Sequence, residues 1–234
     1  KQGGTLIANN RSTRSIISND IGSVKNLNST FDKSKNFNFD LMREIYSKEE
    51  FIDISDANMN KVNTEITYPW ETSDITYSKD ELEIRDKWQS TLMPSGGIVS
   101  ARADNEHWLT FGTEDVVPVL YGNYPILMTG GNSEAALRIG ELLPNKESET
   151  KTINWSQIPS GYDLSVRMSG LVWPEASQRI ANSAYLTREK IGKGQIILFS
   201  GEPNFRGSAL GTNRLWLNAV VYGSGLGTNS LVTP

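Results

Sequence analysis

Gln195-Ile196-Ile197-Leu198-Phe199-Ser200 is the stretch that decides the fold. Four consecutive apolar residues leave no polar face, so the run reads as a strand buried on both sides and central in its sheet. Gly192-Lys193-Gly194 precedes it, and before that the run Ala184 to Ile191, so the three together read as a β-hairpin. Downstream, Gly211 to Tyr222 carries Leu215, Leu217, Val220 and Val221, which predicts a terminal helix. Gly223 to Pro234 is rich in Gly, Ser and Thr and reads as a flexible tail.

Upstream of the hairpin, Pro174 to Ala181 reads as a helix with proline in its first turn. Ile98-Val99, Val116 to Tyr121 and Ile126 to Met128 are short apolar bursts, the strands of a β-rich middle. Ser78-Lys79-Asp80-Glu81 fits a capping box, and a helix from there to about Leu92 puts Leu82, Ile84 and Trp88 partly inward. Pro94-Ser95-Gly96-Gly97 breaks it. At the start, Gly3-Gly4 marks a turn and Thr5 to Ala8 a buried strand. Ser12 or Thr13 caps a helix running through Ile16, Ile17 and Ile21 to a stop at Gly22. Residues 23–77 read as a surface insertion with helical spacing only from Phe39 to Phe51, inside a single domain spanning 1–222.

The chain has 234 residues, no Cys and one His, His107. The missing thiols exclude a disulfide frame, a thiolate metal site and a Cys nucleophile, and a single imidazole excludes multi-His zinc centres. Lys+Arg 23 against Asp+Glu 27 gives net charge −4, which argues against a nucleic-acid partner held by phosphate contacts. No apolar stretch approaches the ~20 residues that span a bilayer. Lys1-Gln2-Gly3 carries neither an initiator Met nor a signal core, so the start is read as that of a fragment.

Two segments carry a family resemblance. Gly3-Gly4-Thr5-Leu6-Ile7-Ala8-Asn9-Asn10-Arg11-Ser12 resembles the strand and sharp strand-to-helix turn of class I glutamine-amidotransferase-like domains. Ala184 through Phe199 to Pro203-Asn204-Phe205-Arg206-Gly207 and Asn218-Ala219 is similar to the closing hairpin, loop and last helix of the amidotransferase-like domain appended to some bacterial zinc carboxypeptidases. Pro94 to Ile98 and Asp104 to Gly112 look like a further region of that domain. The resemblance implies an α/β, flavodoxin-like, partly parallel sheet with flanking helices and a β-rich insertion, its first strands lying upstream. It also implies a secreted or periplasmic protein.

The departures decide the expected function. The elbow position, a nucleophilic Cys in the family, falls on Asn10, or on Asn9 if the register slips by one, with Arg11 next. A carboxamide cannot replace a thiolate, so no glutaminase chemistry is expected. One His and no H-x-x-E pattern cannot supply zinc-peptidase ligands. The resemblance therefore implies a non-catalytic accessory domain, without cofactor, that packs against or presents substrate to an upstream peptidase domain of the same polypeptide.

Other candidates stand beside it. His107 with Asp104, Glu106 and Trp108 is a binding spot or a single-His metal site with carboxylates, with a carboxylate-based hydrolase as the catalytic form, or else a loop histidine that fixes the turn before Leu109. Arg206 either holds an anion with help from the following helix or ties its own loop to a neighbouring carbonyl or acid. Glu114-Asp115 with Glu202 are carboxylates for glycosidic chemistry only if the fold joins them. Trp70, Trp88, Trp108, Trp155, Trp173 and Trp216 are core residues or, where exposed, a platform for a carbohydrate- or peptide-binding module, with Trp70 and Trp155 in the most polar surroundings. Asp53, Asp56 and Asn58 lack the Gly and Glu of a calcium loop. Gly223-Ser224-Gly225-Leu226-Gly227 follows a helix and is no phosphate loop.

Overall fold

The computed structural model describes residues 3–27, 79–130, 132–147, 151–153 and 156–226. The chain is mixed α/β, with a large mixed sheet and flanking helices. Strand β1 (Gly4–Asn9) runs straight into helix α1 (Asn10–Ser18), and β2 (Lys25–Asn26) follows. Helix α2 (Lys79–Thr91) leads to β3 (Gly97–Ala103), β4 (Val116–Tyr121), β5 (Leu127–Met128) and β6 (Ser133–Ile139). Next come β7 (Glu141–Pro144), β8 (Lys151–Ile153), β9 (Ser156–Ile158), β10 (Tyr162–Ser165) and β11 (Arg167–Ser169). Helix α3 (Pro174–Ile180), the hairpin β12 (Ala184–Ile191) and β13 (Gly194–Phe199), and helix α4 (Leu210–Tyr222) close the fold.

The main sheet runs β1-β13-β12-β6-β3-β11, with β4 on β3 and with β5 joining β12 to β2. All six residues of β13 are buried. The strand lies between β1, parallel to it, and β12, antiparallel. β1–β13 is the one parallel pair among the named strands described, so the sheet is mainly antiparallel.

Alternation along β13 divides the core. Ile197 and Phe199 face the larger cluster, where Leu215 and Ala219 of α4, Ala176 and Ile180 of α3, and Val119 and Tyr121 of β4 meet. Ile196 and Leu198 face the smaller one, closed by Ile17 of α1 with Ala8, Val24 and Leu127. α1 and α4 thus cover opposite faces of the same strand. Gly194 is required where β1 meets β13, because a Cβ there would lie 2.5 Å from the Gly4 carbonyl oxygen.

Several local expectations are corrected. Helix α1 begins at Asn10, not after Ser12 or Thr13, and stops at Ser18, leaving Ile21 exposed. Thr13 does not cap: its hydroxyl is buried and donates to the Phe199 carbonyl at 2.8 Å, tying α1 to β13. The expected insertion does not start at Ser23, because Val24 and Leu27 are core residues and β2 pairs with β5. Phe39 to Phe51, the rest of 28–77 and the Ser78 cap lie outside the described residues.

On α2, Ile84 points outward, 57% exposed, while Arg85, Asp86 and Gln89 are buried. The reason lies on α3, which presents Gln178 and Arg179 to α2. Arg179 donates to both carboxylate oxygens of Asp86, at 2.7 and 3.1 Å, and Gln89 donates to Gln178. The tail is also anchored where it begins, since Gln195 Nε2 donates to the carbonyls of Gly223 and Leu226, each at 2.7 Å. No helix among the described residues is long and apolar enough to cross a membrane.

Phe199 is fully buried, tilted against Trp216 at 5.5 Å and edge-on to Tyr185 at 6.5 Å. Phe199→Ala should lower unfolding free energy by about 3–5 kcal/mol. Leu217→Ala on the outer face of α4 should stay within about 0.5 kcal/mol of wild type, both read by urea denaturation.

Candidate functional site

Ligands on open α/β sheets gather at the carboxyl ends of parallel strands. Here that edge is the end of β1 and β13, where β1 passes directly into α1. Asn9 is still extended, at φ −136°, and Asn10 is already helical in position but left-handed in backbone, at φ 42°. Asn is among the few non-glycine residues that adopt this region readily. The Asn10 carboxamide Nδ2 donates to Glu202 Oε1 at 2.8 Å, joining the turn after β1 to the turn after β13. Arg11 is exposed one residue on, and Arg14 reaches the Asn123 carbonyl at 3.4 Å.

Three phenols complete the edge. The rings of Tyr124 and Tyr185 close over Gly201, where a Cβ would lie 2.8 Å from one and 3.2 Å from the other. Tyr121 meets Tyr124 edge-on at 5.7 Å. Burial pushes all three hydroxyls up, Tyr121 to about 12, and the Glu202 carboxylate adds to the rise at Tyr124 and Tyr185. Neutral phenols, those of Tyr124 and Tyr185 near the Glu202 carboxylate, make a set of hydrogen-bond donors and acceptors rather than nucleophiles of lowered pKa. Sequence reading overlooked Tyr121, Tyr124 and Tyr185. The available signal was Gly201-Glu202 directly after a buried strand, a position where a small residue admits neighbouring rings.

His107 stands elsewhere, in the turn between β3 and β4. Its Nδ1 accepts the Leu109 N–H at 3.1 Å and so caps the short 3-10 turn Trp108–Thr110. The proton is therefore on Nε2, which faces Glu134 Oε2 at 3.4 Å. The turn in turn holds α4, because Asn218 donates to the carbonyls of Leu109 and Phe111, each at 2.9 Å. Asp104 and Glu106 do not join the imidazole in a pocket: both are exposed, and Asp104 Oδ1 accepts the Glu106 N–H. Trp108 stacks on the imidazole at 5.7 Å.

Glu134 also accepts from Arg188 at 3.0 Å, and Arg188 donates to Gln195 at 2.9 Å, so a polar ladder crosses β6, β12 and β13. Beside it lies an open groove of about 540 Å³ lined by Asn132, Glu134, Arg188 and Lys190.

The remaining candidates separate. Glu114 and Asp115 are exposed before β4, Asp115 accepting from Asn105, whereas Glu202 sits at the elbow. Arg206 is exposed, left-handed at φ 51°, and lies over the ring of Phe205 at 5.1 Å. Among the described residues it reaches neither a carbonyl nor an acid. Trp173 is 48% exposed, Trp88, Trp108 and Trp216 are half-buried, and Trp70, Trp155, Asp53, Asp56 and Asn58 lie outside the described residues. Among those described, no group of three or more His, Asp and Glu could hold a metal ion. The chain matches no family model, no curated protein and no solved structure.

The single imidazole gives a clean titration. Burial lowers the pKa of His107 below its ordinary 6.5, outweighing the pull of Glu134 and Asp104, while Arg188 lowers it further. The unfolded chain therefore takes up the proton first as pH falls. The stability that neutral His107 confers is complete above about 6.5 and is lost as pH drops toward the folded value. The imidazole proton resonance should titrate below 6.5 in the folded protein. His107→Asn, which keeps an acceptor and does not titrate, should flatten this part of the stability profile. A midpoint above 6.5 would contradict the assignment.

Proposed function

We propose that this chain is a non-catalytic accessory domain of amidotransferase-like descent, one that packs against or presents substrate to a zinc carboxypeptidase-type domain of the same secreted or periplasmic polypeptide. The observation that carries this reading is the backbone of Asn10. A left-handed residue at the junction of a strand and a helix is the geometry that thrusts a nucleophile out of its strand. Here the side chain on that turn is a carboxamide, held by Glu202, and no imidazole stands beside it. The elbow serves as a structural joint between β1, α1 and β13. The mainly antiparallel sheet departs from a doubly wound parallel one, so the likeness concerns the elbow, the hairpin and the last helix.

The hydrolase reading around His107 has less behind it. Nδ1 is committed to a backbone N–H and Nε2 faces a carboxylate already bridged to Arg188. That leaves no base for a nucleophile or water.

Two measurements test the proposal. Asn10→Ala, which places a Cβ residue without local hydrogen bonding at φ 42°, should cost about 1–2 kcal/mol in urea denaturation. Asn10→Gly relieves the backbone as it loses the bond and should be near neutral. Neither Asn10→Ala nor Glu202→Gln should change any turnover of glutamine or peptide by the purified chain. A glutaminase or peptidase rate abolished by either change would sink the non-catalytic reading. A parent polypeptide with no H-x-x-E segment before Lys1 would remove the peptidase association.

A further inference from the structure

Arg102 on β3 and Arg138 on β6 stand directly opposite one another in the β3–β6 register, so both side chains leave the same side of the sheet. Like charges in that position repel. Both side chains are partly exposed and both are fixed by neutral acceptors. Arg102 donates to the Gly140 carbonyl at 2.9 Å and to the Asn182 side-chain oxygen. Arg138 donates to the Asn182 carbonyl at 3.2 Å and to Thr129 Oγ1 at 3.1 Å. Asn182, at φ 59°, is held left-handed between them and serves both.

What is missing is a counter-charge. Among the described residues neither guanidinium forms an ion pair. Burial, with the Arg138 charge beside it, brings the Arg102 pKa down to about 10, and burial lowers Arg138. Both remain cationic at neutral pH. The contrast within the molecule is sharp, since Arg179 sits on Asp86 and Arg188 on Glu134.

We propose that Arg102 and Arg138 form a binding site for a phosphate-type oxyanion, with Asn182 and Thr129 orienting the two guanidiniums. Two adjacent cations balance a dianion, and the planar forks suit tetrahedral oxygens better than a single ammonium would. The site is independent of the elbow and of the peptidase association. Its ligand is either free inorganic phosphate or the terminal phosphate of a larger molecule.

The test is thermal and chemical denaturation of the purified chain with inorganic phosphate, against sodium chloride at matched ionic strength. Phosphate should raise wild-type stability in a saturable way, as a ligand selective for the folded state must. In Arg138→Gln and in Arg102→Gln the apparent affinity should fall about tenfold or more. Arg102→Lys, which keeps the charge without the fork, should fall between. Should one glutamine variant fail to fold, the other and Arg102→Lys carry the comparison. Glucose 6-phosphate in a parallel arm separates the sources: tighter binding than phosphate points to a phosphomonoester, equal or weaker binding to the free ion. The proposal is overturned if phosphate stabilises no more than chloride. It is equally overturned if the arginine variants respond as wild type does.

Discussion

The six buried residues of β13 are the constraint on which the structure rests. A strand with no solvent face must have its backbone satisfied on both edges, because each unpaired buried amide or carbonyl costs about 1–3 kcal/mol. β1 supplies one edge and β12 the other. The side chains must then be covered on both faces, and the chain commits α1 to one and α3 and α4 to the other. Even the polar ties obey this strand: Thr13 bonds the Phe199 carbonyl, and Ser200, just past its end, bonds the Pro125 carbonyl at 2.7 Å. Gln195 at its start holds the chain beyond α4.

Because β1 and β13 end together, the two turns that leave them converge. Asn10 and Glu202 are 192 residues apart in sequence and meet at 2.8 Å solely because the strands are parallel and in register. An antiparallel β1 would have put Asn10 at the hairpin end, beside Gly194. The one parallel pair among the named strands described is thus what creates an elbow edge, and the phenols of Tyr124 and Tyr185 fill the space left where Gly201 has no side chain.

What was legible in the sequence follows from how local each signal is. The hairpin, α3, α4 and the strands at Ile98, Val116 and Leu127 announce themselves through short runs of apolar residues or a proline at a helix start. The start of α1 was misplaced because a left-handed Asn10 is a conformational choice that tertiary contacts make. Thr13, a good cap in isolation, is used for a long-range tie. On α2 it is Ile84 that departs, for a related reason, while Trp88 is half-buried as its spacing predicts. Apolar spacing assumes an apolar partner, and α3 instead offers Gln178 and Arg179, which Gln89 and Asp86 meet. The elbow at Asn9-Asn10 is reached only through the resemblance, and its partner Glu202 enters only as a carboxylate beside Glu114 and Asp115, because a contact across 192 residues leaves no local signature.

The treatment of arginine shows most plainly where sequence stops and register begins. Arg102, Arg138, Arg179 and Arg188 are chemically identical, and nothing in their neighbours along the chain tells them apart. Strand pairing puts Arg188 opposite Glu134 and helix packing puts Arg179 on Asp86, so each is neutralised within the protein. The same sheet puts Arg102 opposite Arg138, where it is neutralised by nothing the chain provides among the described residues. Shifting β6 by one residue against β3 would place Leu137 opposite Arg102 and send Arg138 to the other face, removing the conflict. The observed register keeps it, at the cost of like-charge repulsion across two strands, and places five neutral oxygen contacts around the two forks. A sheet that orients two cations this carefully without an internal partner has the electrostatics of a site built for an anion from outside.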